Sequence, residues 1–193
     1  TISKEQFDYT VKAVEERGLQ DRITVLFDDY RDLEGQFDKL VSIEMIEAVG
    51  HQFYDTYFST LSRLLKPDGK AVIQSITMTD QRYEQARDSV DFIKRYIFPG
   101  GCLPSLSVIS NALANVTDMQ LSGLRDITRD YADTLQDWHD TFLSQLDQVR
   151  AMGFDDQFIR MWRYYLSYCE GGFRERIIGT YQITMTKPYY RPH

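Results

Sequence analysis

Apolar positions recur with helical spacing at the start of the chain, where Phe7, Val11 and Val14 fall at i, i+4 and i+7 behind Ser3 and Gln6. Ser followed three residues later by Gln reads as a capping box and Gly18 as a stop, so a helix is predicted over 4–17. Ile23, Val25 and Phe27 alternate with polar partners and run into Asp28 and Asp29, the pattern of a strand over 23–27 with acids at its carboxyl end. The short apolar run of Leu40, Val41 and Ile43 suits a buried parallel strand over 37–43. Phe53, Tyr57, Phe58, Leu61, Leu64 and Leu65 trace a helical stripe, stopped by a turn at Lys66-Pro67-Asp68-Gly69, and 71–76 is a further apolar strand. Helix, strand, strand, helix, strand with short connections is the grammar of an α/β fold, in which ligands sit beyond the carboxyl ends of the strands.

The second half changes character. A charged segment over 81–96 reads as helix, Pro99-Gly100-Gly101 and Pro104 mark a loop, and 105–115 suits a short helix. Alternation predicts strands over 119–128 and 176–186, with two amphipathic helices over 132–152 and 155–169 parted by Gly153. The late strand pair enclosing helices fits an antiparallel edge on a mostly parallel sheet. There is neither an internal repeat nor a linker, and one domain is expected.

Composition narrows the class. Of 193 residues 42% are hydrophobic and 26% charged, with 11 glycines and 5 prolines, which excludes disordered and collagenous chains. No apolar run approaches the roughly 20 residues that span a bilayer. A net charge of −7 argues against a nucleic-acid binder. Two cysteines, Cys102 and Cys169, are too few for a disulfide framework and point to a reducing, cytoplasmic compartment.

Candidate chemistry starts with the strand-end acids. Asp28 and Asp29 would face the crevice that takes a nucleoside, although acids also simply end strands and cap helices. Glu47 follows the strand ending at Ile43, where a carboxylate can orient a ligand or act as a base if burial raises its pKa, or remain a solvated loop acid. His51, His139 and His193 show no metal-ligand spacing, and no metal is expected. Aromatic residues make up 13% of the chain and crowd its second half, among them Tyr96, Phe98, Tyr131, Trp162 and Tyr165. Such a set serves a core, or lines a cavity for an acyl chain and steadies a cation against ring faces.

Several long motifs occur in an order that resembles one family: Thr1-Ile2-Ser3 through Gln6, Asp29-Tyr30-Arg31-Asp32, Phe37-Asp38 leading to Ser42-Ile43, and Glu47 before Val49-Gly50. They continue through Leu65 to Gly69, Lys94-Arg95-Tyr96-Ile97-Phe98-Pro99-Gly100-Gly101, Tyr131-Ala132-Asp133-Thr134-Leu135 with Trp138, Arg160-Met161-Trp162, and Phe173-Arg174. The chain thus resembles the cyclopropane-fatty-acyl-phospholipid synthases, a family that includes the mycolic acid cyclopropane synthases and depends on S-adenosylmethionine. The resemblance implies a partial Rossmann-like class I methyltransferase sheet with helical insertions forming an acyl pocket. It implies Thr1 and Gln6 near the ribose and amino-acid part of S-adenosylmethionine, and Asp29 and Tyr30 near its adenine. A bicarbonate ion would be held by the backbone at Ile43, the Glu47 side chain and the Tyr131 hydroxyl. The implied reaction transfers a one-carbon unit to a cis double bond of an unsaturated phospholipid, with peripheral contact at the inner membrane surface; a homodimer is left open.

Three positions depart from the family pattern. Gln74 stands where ring-forming enzymes carry a histidine, Ala48 where a histidine follows the glutamate, and Glu44 where a glycine is usual. Gln74 still hydrogen-bonds an anion but does not titrate, and joins Ile43, Glu47 and Tyr131 as a candidate catalytic position. Glu44 through Gly50 with Gln74 through Met78 resembles a branch associated with methyl-branched fatty acids, so that product stands beside the cyclopropane, as does a non-catalytic binding domain. Arg82, Arg87, Lys94 and Arg95 form a candidate basic patch for the membrane. By the motif order, residues 1–193 are expected to be the C-terminal part of one methyltransferase domain, without its first strand and glycine-rich turn and weak or inactive in isolation.

Overall fold

The structure, a computed structural model, describes residues 1–191; His193 lies outside the described residues. The first helix, α1 (Lys4–Glu16), starts at Ser3, whose hydroxyl accepts from the Gln6 N–H at 3.3 Å. The reciprocal half of the capping box is replaced, because Gln6 Oε1 accepts from the Thr1 hydroxyl at 2.8 Å.

Four strands form one sheet: β1 (Phe37–Ile43), β2 (Leu65–Met78), β3 (Gln120–Asp126) and β4 (Ile178–Thr186), in the order β1-β2-β4-β3. β1 and β2 are parallel, and β4 runs antiparallel to both its neighbours, so three of the four strands point one way. The late pair β3–β4 forms the antiparallel edge expected of it, with β3 outermost and the reversed strand β4 between β2 and β3.

Residues 23–27 do not join this sheet. Alternation reports which side chains are half-buried, whereas a strand also needs a ladder partner. Here the Leu26 carbonyl accepts from the chain's own amino terminus at 3.2 Å, and Phe27 packs on Phe7 with ring centroids 5.6 Å apart. The turn at 66–69 survives in altered form, absorbed as a bulge within β2: the register passes from Leu65 opposite Phe37 to Lys70 opposite Lys39. A Cβ at Gly69 would stand 3.0 Å from the Lys66 carbonyl oxygen, which is why glycine occupies the tightest point.

Successive strand residues face opposite sides, and the two sides are covered differently. On one, Ala71, Ile73, Ile183 and Met185 pack against Tyr57, Phe58 and Leu61 of the helix α3 (Tyr54–Leu64), and against Ile109, Ala112 and Leu113 farther along the chain. On the other, Ile76 and Ile178 meet a helical layer through Ala132, Leu135, Leu166 and Phe173. Between them in the chain lie the short α2 (Ile46–Val49), then α4 (Asp80–Asp88), α5 (Phe92–Tyr96) and α6 (Leu106–Val116). The helical layer consists of α7 (Thr128–Ser144), α8 (Leu146–Ala151) and α9 (Asp156–Arg174).

The single helix expected over 81–96 breaks at Ser89-Val90-Asp91. Asp91 caps α5 by accepting from the Lys94 N–H at 2.9 Å, and the Lys94 ammonium turns back onto the carbonyls of Ala86, Arg87 and Ser89. Arg87 is paired with Glu84 and Asp88. Of the four cations in the candidate membrane patch, Lys94 therefore ties α5 back to α4 and Arg87 is engaged in ion pairs within α4.

Candidate active site

β1 ends at Ile43, whose register partner on the parallel β2 is Gln74, while β2 runs on to Met78, so the loop after β1 opens beside the last residues of β2. The Glu44 N–H donates to the Gln74 carbonyl at 2.8 Å. Backbone groups alternate sides along a strand, so the Ile43 N–H and carbonyl point away from β2, toward the outer edge of β1. The Ile43 and Val41 side chains there are 63% and 67% exposed.

Glu47, on α2, turns back over β2. Its Oε1 accepts from the Ser75 hydroxyl at 2.9 Å and from the Ile76 N–H at 2.6 Å, while Oε2 is buried with no partner. Burial pushes the carboxyl pKa above its ordinary value; the two donors oppose that shift and the nearby Glu44 charge adds to it. The main chain is fixed as well, because the Glu47 carbonyl accepts from the Cys102 N–H at 2.8 Å and the Cys102 carbonyl from the Tyr54 hydroxyl at 2.7 Å. The loop containing Pro99-Gly100-Gly101 is thereby tied to α2 and α3.

Gln74 is the centre of a side-chain relay. Its Nε2 lies 2.9 Å from Glu44 Oε1 and 3.2 Å from the Tyr131 hydroxyl, and its Oε1 accepts from Gln182 Nε2 at 3.0 Å. Tyr131, in the first turn of α7, rests its ring on Phe173 of α9 with centroids 5.3 Å apart. Glu44 adopts a left-handed conformation, φ 51°, a strained one for a residue with a side chain. Its backbone and carboxylate bonds to Gln74 offset that strain.

The predicted catalytic positions Ile43, Glu47, Gln74 and Tyr131 thus lie about the carboxyl end of β1 and the stretch of β2 beside it. The predicted cofactor positions form two separate pairs. Thr1 and Gln6 are bonded to each other. Asp29 is not free: it caps a short 3-10 turn at Tyr30–Asp32 and accepts from Arg31 N–H, Nε and Nη2 at 2.7–2.9 Å. The Arg31 hydrogen bonds hold its carboxyl pKa down at about 2. Tyr30 packs edge-on to Tyr57, centroids 5.8 Å apart, and the Tyr57 hydroxyl donates to Ser42 Oγ on β1 at 2.8 Å. That links the Asp29-Tyr30 loop to the strand that ends at the site.

The aromatic residues of the second half form a ladder rather than an isolated box. Phe154, Phe158, Trp162 and Tyr165 follow one another along α9 and its approach with centroid spacings of 4.3, 5.6 and 5.0 Å, and Phe98 lies 6.4 Å from Tyr165. Trp162 and Tyr165 share a cluster with Tyr131, and burial pushes the Tyr165 phenol up to about 12. Sequence reasoning missed Gln182, Ser75 and Arg31 as partners of the site. Ser75 and Gln182 carry a faint signal as polar side chains within otherwise apolar central strands.

Comparison with known proteins gives the chain its relatives. The profile of the mycolic acid cyclopropane synthetase family matches residues 1–183. The tuberculostearic acid methyltransferase of Mycobacterium tuberculosis is 38% identical over 187 residues, covering 97% of this chain and 44% of that protein. The cyclopropane-fatty-acyl-phospholipid synthase of Escherichia coli is 36% identical over 185 residues, covering 92% of this chain and 46% of its own length. The mycolic acid cyclopropane synthase CmaA1, solved with SAH and CTAB, superimposes with a TM-score of 0.82 at 25% identity, covering 97% of this chain and 68% of that one. The chain spans less than half the length of these two sequence relatives. A matching family profile over nearly the whole chain, relatives above one-third identity and a shared fold together establish that the chain belongs to the mycolic acid cyclopropane synthetase family.

Proposed function

We propose that this chain forms the acceptor side of an S-adenosylmethionine-dependent site that adds a one-carbon unit to a cis double bond in an unsaturated phospholipid acyl chain, with a cyclopropane as product. The observation that carries the reading is the half-satisfied carboxyl of Glu47. One oxygen is held by Ser75 and Ile76 and the other is buried without a partner, which is costly unless a ligand completes it.

The donor set fits a bicarbonate ion. Two bare anions in contact repel, whereas burial favours the protonated Glu47 carboxyl, which can donate through Oε2. The Tyr131 hydroxyl and, by the family resemblance, the Ile43 backbone would be the further groups to hold it. S-adenosylmethionine, when bound, supplies an electrophilic methyl group. For it, Asp29 retains acceptor capacity on Oδ2, which carries one bond from Arg31, and the Thr1–Gln6 pair offers polar groups at the start of α1. The cation left on the acyl chain must be kept from water until it loses a proton, and the Trp162 and Tyr165 rings, which border the same apolar cluster as Tyr131, support such a wall.

The test is incubation of the intact protein with methyl-labelled S-adenosylmethionine and vesicles of cis-monounsaturated phospholipid, followed by chromatography of the released acyl chains. Label in chains one carbon larger is expected; unlabelled lipid overturns the reading. A methyl-branched or methylene product is a second reading, supported by Gln74, which does not titrate, by its Glu44 partner, and by the relative named as a tuberculostearic acid methyltransferase. Upfield cyclopropyl protons in the product's NMR spectrum separate the two.

A further inference from the structure

Hydrogen-bond direction around Gln74 follows from chemistry alone. Glu44 is a carboxylate and only accepts, so the Gln74 atom facing it at 2.9 Å is the amide nitrogen. The Gln74 oxygen then faces Gln182 at 3.0 Å, and Gln182 must present its own nitrogen. The two protons of Gln74 Nε2 are taken by Glu44 and by the Tyr131 oxygen at 3.2 Å. Tyr131 therefore accepts from the relay, and its single proton is left to point elsewhere. Gln182 lies on β4 opposite Gln74 in the register, in the middle of the sheet, so the whole arrangement is anchored on a rigid element.

We propose that Gln182 is a positioning residue: by donating to the Gln74 oxygen it locks the orientation that Glu44 selects and so keeps the Tyr131 proton turned toward the acceptor bound beside Glu47. The inference deepens the proposed function and rests on it for what that acceptor is. Glu44, seated where glycine would relieve the backbone, is the opposite anchor of the same device.

A charge swap tests direction apart from stability. In Gln182→Glu alone, two acceptors compete for the Gln74 amide and the fold loses stability. In the double variant Glu44→Gln with Gln182→Glu, Gln74 rotates to donate to residue 182 and accept from residue 44. All relay bonds return, but its oxygen now faces Tyr131 and draws the phenol proton inward. The intact double variant is expected to recover the parent's melting temperature yet to lose turnover on monounsaturated phospholipid vesicles by about a hundredfold, the scale of one donor removed from a reacting site. Side-chain amide NMR of the labelled protein reads direction independently: nuclear Overhauser effects join the Gln74 amide protons to the Tyr131 ring in the parent and vanish in the swap. A stable swap with parental turnover overturns the proposal, as does a parent in which those contacts are missing. A parent with the contacts but no lipid methylation upholds the relay and overturns the functional reading instead.

Discussion

At the scale of the residue, Glu47 has a pH consequence. Its folded pKa is raised, so between its ordinary value of 4.5 and the folded value the native state binds more protons than the unfolded one. Stability is therefore greater on the acid side of that interval and falls as pH rises through it. Glu47→Gln should flatten the fall in thermal melts across that range and, in the lipid assay, reduce turnover by about a hundredfold. Asp29 has the opposite sign: Arg31 holds it at about 2, below its ordinary 3.8. Arg31→Met should return the Asp29 carboxyl toward 3.8 in an NMR titration; an unchanged value would mean that the pairing is absent in solution. Glu47 and Asp29 are legible as candidates because each follows an apolar strand-like run. The long-range partners are not: Ser75 stands 28 positions from Glu47, and Gln182 stands 108 positions from Gln74, the residue it orients. Local pattern carries no information about such a pair.

At the scale of the element, position 179 couples the sheet to the helical layer. A Cβ on Gly179 would stand 2.8 Å from the Tyr181 ring and 2.9 Å from Thr128 Oγ1, in a region where Thr128 Oγ1 accepts from the Thr180 N–H at 3.1 Å. Gly179→Ala should cost about 1–3 kcal/mol in urea unfolding and shift the start of α7, so Tyr131 resonances should move with it. The helices were readable from stripes and caps, as were the strands over 37–43 and 71–76. Reading failed at 23–27, where alternation occurs without a ladder, and at 81–96, where Asp91 starts a new helix inside one charged run. Periodicity reports burial, while pairing and capping are settled by neighbours distant in the sequence.

At the scale of the whole molecule, β2 and β4 are central and β1 and β3 are edges. Amide hydrogen exchange should be slowest in β2 and β4 and faster along β1, whose Phe37, Val41 and Ile43 remain exposed at 48%, 67% and 63%. Equal protection of β1 and β2 would contradict this order. The placement of β4 also carries a consequence in time. A chain emerging from the ribosome presents β1, β2 and β3 before the strand that belongs between the last two. Until Ile178–Thr186 threads into that gap, the oxygen of Gln74 has no donor from Gln182 and its amide is held from the Glu44 side alone. The relay behind the Tyr131 hydroxyl is thus closed only after β1, β2 and β3 have been made, and until then it rests on one anchor of its two.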